Sequence, residues 1–182
     1  MKKLILIFSA LLISASAIFA QSKTKTLIIY YSWSGNTRSI ADLVQKKTGA
    51  DIVEVFPDKE YPSTYSECTV VAKEEQRKGI KPGVKGTLPN VNGYDTVIIA
   101  YPLWWSDVPM FFYTLLEGLD LSGKTVLPIC SNGGSGLARS VSTIKKLAPK
   151  ANVKGGLSIY RDGGSSLDKT LSEFLEKNGV KR

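Results

Sequence analysis

The sequence predicts an α/β domain built on one parallel sheet with helices on both faces. Two observations predict it. Apolar runs with little polar alternation recur along the chain, the mark of strands buried on both faces. Helical patterns fall between them, so strand and helix alternate as in successive βαβ units. The runs are residues 27–31, 52–56, 96–100 and 125–130, with a weaker one at 157–160. The helical patterns lie near 40–48, 64–78, 110–116, 140–147 and 166–177. Pro128, inside the fourth run, has no N–H for a ladder and predicts an edge or a bulge there. No internal repeat or break in composition marks a second domain, so one domain is expected over residues 25–180. The longest irregular stretches are 57–63 and 79–93.

Residues 1–20 read as a secretory leader that is not part of this fold. Lys2 and Lys3 make a basic start, 4–13 an apolar core broken only by Ser9, and 14–20 turn small and mixed. Cleavage after Ala17 fits the small-x-small rule; cleavage after Ala20 leaves Gln21 first, and both stay open. An uncleaved anchor is the competing reading, against which the run is short for a bilayer and no Cys succeeds it to take a lipid. The pair is Lys-Lys and not twin Arg, so export of an unfolded chain, to the periplasm, is expected.

Removing the leader leaves about 160 residues, enough interior for one sheet and its helices. The formal charge of +8 falls to +6 once Lys2 and Lys3 are gone. The Lys and Arg residues are scattered (Lys46-Lys47, Lys145-Lys146, Lys177, Lys181-Arg182), which argues against nucleic acid as the main partner. A solvated basic surface still suits acidic partners or anionic lipid. Cys68 and Cys130 fall in a predicted helix and a buried run, so two free thiols are expected and not a bridge. There is no histidine, which excludes a Ser-His-Asp triad and the usual His-containing zinc sites. Residues 133–137 are not a nucleophile elbow, because Leu137 stands where that motif needs Gly.

In an open doubly wound sheet ligands bind beyond the carboxyl ends of the strands, where strand order reverses. The loop at the end of each run is therefore informative. After the first run comes Ser32-Trp33-Ser34-Gly35-Asn36-Thr37, opening a helix. Free helix amides, the positive end of the dipole and the hydroxyls of Ser32, Ser34 and Thr37 suit a phosphate, and Gly35 lets the backbone come close. An ordinary helix cap uses the same residue types. After the third run comes Tyr101-Pro102-Leu103-Trp104-Trp105-Ser106-Asp107, which offers flat aromatic faces; core or interface packing is the alternative for one tryptophan. After the fourth comes Ser131-Asn132-Gly133-Gly134-Ser135-Gly136, whose backbone can approach a planar ring, or simply turn. The first loop lacks the Gly-Lys-Ser/Thr ending of a nucleoside-triphosphate loop and the three spaced glycines of a dinucleotide fold. Together the three loops describe a flat, polar-edged, phosphorylated ligand such as flavin mononucleotide (FMN).

On these motifs the chain resembles the flavodoxin family. Residues 32–37 look like its Ser/Thr-x-Thr-Gly-x-Thr phosphate loop. Residues 93–105 and 133–136 look like the flavin-ring loops of its small single-domain oxidoreductase branch. The resemblance covers residues 25–177 and implies a three-layer doubly wound fold, a five-stranded sheet of order 2-1-3-4-5 and noncovalent FMN. It implies that Ser32, Ser34, Asn36 and Thr37, with the amides of Trp33 and Gly35, hold the phosphate. Pro102, Leu103, Trp104, Trp105 and Ser106, and Asn132, Gly133, Gly134, Ser135 and Gly136, would flank the ring. Trp104 is the expected ring contact, with Trp105 turned inward. Ser34 stands where the family has Thr, and the basic charge departs from its acidic electron carriers.

Three functions of different classes are compatible with these residues. An FMN-dependent oxidoreductase acting on quinones or similar small acceptors needs an accessible ring. A flavodoxin-type carrier between protein partners suits a ring covered by the 61–93 region. A flavin-free interaction module would purify colourless. The leader and the basic surface point to an acidic or membrane-associated redox protein as donor, in place of soluble NAD(P)H. No residue is required as a general acid or base; Tyr101 and Asp107 sit close to the ring loop in sequence, but surface positions are expected for both.

Overall fold

A computed structural model describes residues 25–180, and the leader expected at 1–20 lies outside them. The strands are β1 (Thr26–Tyr30), β2 (Asp51–Glu54), β3 (Thr96–Pro102), β4 (Thr125–Asn132), β5 (Asn152–Val153) and β6 (Leu157–Tyr160). The helices are α1 (Asn36–Thr48), α2 (Tyr65–Lys78), α3 (Phe111–Gly118), α4 (Ser140–Leu147) and α5 (Leu167–Lys177). All strand pairs are parallel, in the order β2-β1-β3-β4-β5, with β6 also on β4. The expected order is therefore present, with a fifth position shared by two short strands.

Pro128 accounts for that break. Val126 O accepts the Lys154 N–H and Asn132 O the Arg161 N–H, so alternate residues of β4 face the edge, Pro128 among them. Pro128 offers no donor there, and the edge chain leaves the ladder at 154–156. Gly156 closes the gap at φ +79°, where an added Cβ would stand 3.3 Å from Pro128 O. The proline thus sits inside the sheet order, with its missing donor aimed at a bulged break where three steps of β4, Val126 to Ile129, face four of the edge chain, Val153 to Leu157.

Both sheet faces are covered. Ile28, Ile98, Ala100, Leu127 and Ile129 pack with Ile40, Ala41 and Val44 of α1 and Leu171 and Leu175 of α5. Leu27, Ile29, Val97, Ile99 and Tyr101 pack on the other face with Phe111, Phe112, Leu115 and Leu116 of α3 and Ile144 of α4. Alternate residues of each strand divide between these layers, which is why the runs show no polar alternation. α1 ends at Gly49, left-handed at φ +67°, whose N–H donates to Gln45 O. α2 is the exception. It buries only Cys68 and Ala72, while Tyr65 and Val70 are exposed. Its place is set by the site.

Candidate functional site

The carboxyl ends of β1, β3, β4 and β6 open into one cavity of about 490 Å³, a size suited to a cofactor. Of the first loop, Trp33, Ser34 and Asn36 line it. Pro102, Leu103, Trp104, Trp105 and Ser106 line it from the second, and Asn132, Gly133 and Ser135 from the third. Five expected site residues do not reach the wall: Ser32, Gly35, Thr37, Gly134 and Gly136. They shape the loops that do.

Ser32 Oγ accepts the Gly35 N–H at 3.1 Å, and the buried Thr37 hydroxyl pairs with Ser131 Oγ at 2.7 Å. Both side chains are buried behind the loop, while Ser34 and Asn36 face the cavity. Gly35 lies at φ +91°, and an added Cβ there would meet nothing within 4 Å. The backbone conformation alone already favours glycine here. No side chain caps α1, and no acidic residue sits in its first turn to compete for the amides. In the third loop Asn132 Oδ1 accepts the amides of Gly134 and Gly136, at 2.8 and 3.2 Å. Its Nδ2 donates to Ser158 Oγ and Ile159 O, so one buried side chain ties the loop to β6.

The second loop turns back at once. Trp104 and Asp107 exchange backbone hydrogen bonds across Trp105 and Ser106, both left-handed at φ +48° and +67°. That turn sends the two indoles apart. Trp104 packs inward, edge-on to Tyr61 at 4.7 Å and Tyr31 at 6.0 Å, while still touching the cavity. Trp105 is 43% exposed at the rim, where Nε1 donates to Thr69 O and Lys73 lies over the ring at 4.7 Å. The expected inward turn of Trp105 is thus reversed. Trp104→Phe is expected to lower stability by about 1 kcal/mol through lost edge-to-face packing. Trp105→Phe should leave the midpoint nearly unchanged but speed amide exchange in α2, which it helps to hold. Urea unfolding and hydrogen exchange check both.

α2 forms a wall that the three loops do not announce. Tyr65, Cys68, Thr69 and Ala72 line the cavity at helical spacing i, i+3, i+4, i+7. Burial pushes the Cys68 thiol up to about 11, so it stays protonated near neutral pH. Beneath it Tyr61 donates to Glu75 Oε2 at 2.8 Å, and burial raises the Glu75 carboxyl above its usual range. Arg161, after β6, and Ser131 complete the lining. Reading the residues after the last apolar run as well would have found Arg161.

Tyr101 and Asp107 are not on the surface. Tyr101 is fully buried, its hydroxyl paired with Ser140 Oγ at 2.8 Å. Asp107 is 1% exposed. It accepts from the Val108 amide, Tyr113 OH, Arg139 Nε and Thr143 Oγ1 at 2.8–3.0 Å. It fastens the second loop to α3 and α4. Among the described residues no group of His, Cys, Asp and Glu could hold a metal ion, and no helix is long and apolar enough to cross a membrane.

A doubly wound parallel sheet with three loops meeting over its central strands defines the class. The chain belongs to the flavodoxin family, which it matches over residues 25–178. It is similar to a flavoprotein from Bacteroides eggerthii, with TM-score 0.73 and 30% identity over 87% of this chain and 99% of that one. It is also similar to a flavoprotein from Lactobacillus acidophilus solved in complex with FMN: TM-score 0.66, 25% identity, 80% of this chain and 97% of that one. A 98-residue stretch is 36% identical to the FMN-dependent NADH:quinone oxidoreductase 1 of Listeria innocua, covering 50% of this chain. That match spans 43% of the relative's length.

Proposed function

We propose that this chain is an FMN-dependent oxidoreductase that carries electrons on noncovalent FMN to quinones or similar small acceptors. The observation that carries the reading is the cavity in which the uncapped start of α1, the Trp104 turn and the Asn132 loop meet. The residues present fit the cofactor. Ser34, Asn36 and the first amides of α1 would hold the phosphate, within a loop shaped by Ser32, Gly35 and Thr37. Pro102, Leu103 and Trp104 on one side and Gly133 and Ser135 on the other offer flat or close-approach surfaces for a ring. Bound FMN would supply reversible electron storage, and the protein would position it and tune its potential. α2 and Trp105 wall the same cavity. The name of the Listeria relative supports a quinone acceptor.

α2 favours a second reading, the electron carrier between protein partners, because a wall from the 61–93 region leaves small acceptors less room. Export to the periplasm, with FMN acquired after translocation, belongs to the proposal as well. So does a donor that is an acidic or membrane-associated redox protein, favoured by the basic charge. Purified protein titrated with FMN should give a yellow complex and quenched tryptophan emission, and riboflavin should bind much more weakly. Quinone reduction under saturating reduced donor then separates the readings. Rapid turnover supports the oxidoreductase; electron transfer only to a redox protein, weakening as salt rises, supports the carrier. Rapid saturable turnover with NADH would discard the protein donor. Absence of flavin binding would discard both readings.

A further inference from the structure

Among the described residues Arg161 is the one charged side chain on the cavity wall. It makes no ion pair among those residues; its guanidinium rests over the Tyr160 ring at 5.3 Å. Its backbone is held at φ +52°, a left-handed conformation unusual for a residue with a side chain, although glycines stand close by at 163 and 164. The Arg161 N–H donates to Asn132 O at 2.8 Å, which fixes the residue beside β4.

The loop that shares the cavity lacks what Arg161 has. Ser34 and Asn36 are neutral donors, and Arg38, the nearest cation in sequence, is engaged by Glu54 at 2.6 Å. A phosphate carrying close to two negative charges would therefore meet amides and hydroxyls on that side but no cation. The two elements are joined through β4. Ser131 bonds Thr37 in the first loop, and its neighbour Asn132 bonds Arg161.

We propose that Arg161 supplies the counter-charge for the phosphate of the bound flavin nucleotide and so sets the preference for FMN over riboflavin. This rests on the FMN reading of the cavity. The guanidinium provides a planar fork suited to phosphate, and its place at an open rim makes the attraction sensitive to salt. Tyr160, under the guanidinium, keeps that head group at the rim.

The test is calorimetric titration of the intact protein and of Arg161→Gln with FMN, riboflavin and inorganic phosphate, at low and high salt. Arg161→Gln should lower FMN affinity about tenfold at low salt, leave riboflavin affinity unchanged and flatten the salt dependence. Arg161→Lys should recover part of the FMN affinity, because it keeps the charge without the fork. Inorganic phosphate should compete with FMN more weakly in Arg161→Gln than in the native protein. Equal losses for FMN and riboflavin, with a changed midpoint potential, would place Arg161 at the ring and overturn the proposal. Unchanged FMN affinity in Arg161→Gln, with the native protein binding FMN normally, overturns it alone. A native protein that binds neither flavin overturns the cofactor reading and this proposal with it. Should Arg161→Gln unfold, Arg161→Lys decides: FMN affinity falling in step with riboflavin affinity would overturn the proposal.

Discussion

Replacing Asp107 by alanine is expected to lower the thermal midpoint by roughly 10 °C and to weaken flavin binding with it. The carboxylate is buried and accepts four hydrogen bonds, from a backbone amide, a phenol, a guanidinium and a hydroxyl. Truncation strands those donors in a site that water reaches poorly. Each buried donor left without a partner costs about 1–3 kcal/mol, the amide, phenol and hydroxyl lie inside the protein, and about 2–4 °C accompanies each kcal/mol in a domain of this size. The converse truncation should be mild. The Arg139 side chain is 51% exposed, so Arg139→Met leaves Asp107 with three neutral donors and should cost about 1 kcal/mol. The flavin effect comes from position, since Asp107 closes the turn that aims Trp104 and Trp105, and the Arg139 N–H bonds Ser106 O in that turn. Urea unfolding of both variants, with FMN titration of Arg139→Met as the well-folded control, checks the asymmetry. Equal, small losses for both would mean that Asp107 is solvated and does not brace the loop.

What the chain reveals without a structure divides by distance. The buried runs at 27–31, 96–100 and 125–130 are legible because they are local and lie in the middle of a covered sheet. Their carboxyl ends are less so. β3 continues to Pro102 and β4 to Asn132, beyond the apolar residues, because Ser131 and Asn132 find partners on α1 and β6. A hydrophobic pattern cannot register a polar residue whose partner lies far along the chain. Asp107 shows this most clearly. Two of its four partners sit 32 and 36 residues away, so its own surroundings read as an ordinary surface turn.

The site is legible in its loops and not in its far wall. Ser34, Asn36, Trp104 and Gly133 come from one rule, that ligands meet the residues after each strand. Tyr65, Cys68, Thr69 and Ala72 come from no such rule. Their helical stripe mixes one aromatic with Cys, Thr and Ala and carries no large aliphatic residue, so it does not show the apolar face that marks a helix packed on a core. The two tryptophans lie in the loop the sequence indicates, but their orientations depend on left-handed backbone at Trp105 and Ser106. No composition rule predicts that conformation for these residue types.

Gly35→Val is expected to bring FMN affinity down to that of riboflavin, a loss of about a hundredfold, while riboflavin binding changes little. An added Cβ at Gly35 meets no protein atom within 4 Å, so crowding within the protein is not the cause. The cause is φ +91°, which a β-branched residue adopts only under strain, so the loop is expected to relax and carry Ser34 and Asn36 away from the cavity. Each charge-assisted hydrogen bond lost to a phosphate costs about 1.5–3 kcal/mol, so misplacing one or two accounts for the hundredfold. Conformational strain also implies an order of variants that crowding does not. Asparagine tolerates left-handed backbone far better than valine, so Gly35→Asn should keep most of the FMN preference although its side chain is of similar bulk. Gly35→Ala, small but intolerant of this φ, should fall between them. Parallel FMN and riboflavin titrations of the three variants test the order. If alanine binds FMN better than asparagine, size governs this loop after all and its glycine serves close approach instead.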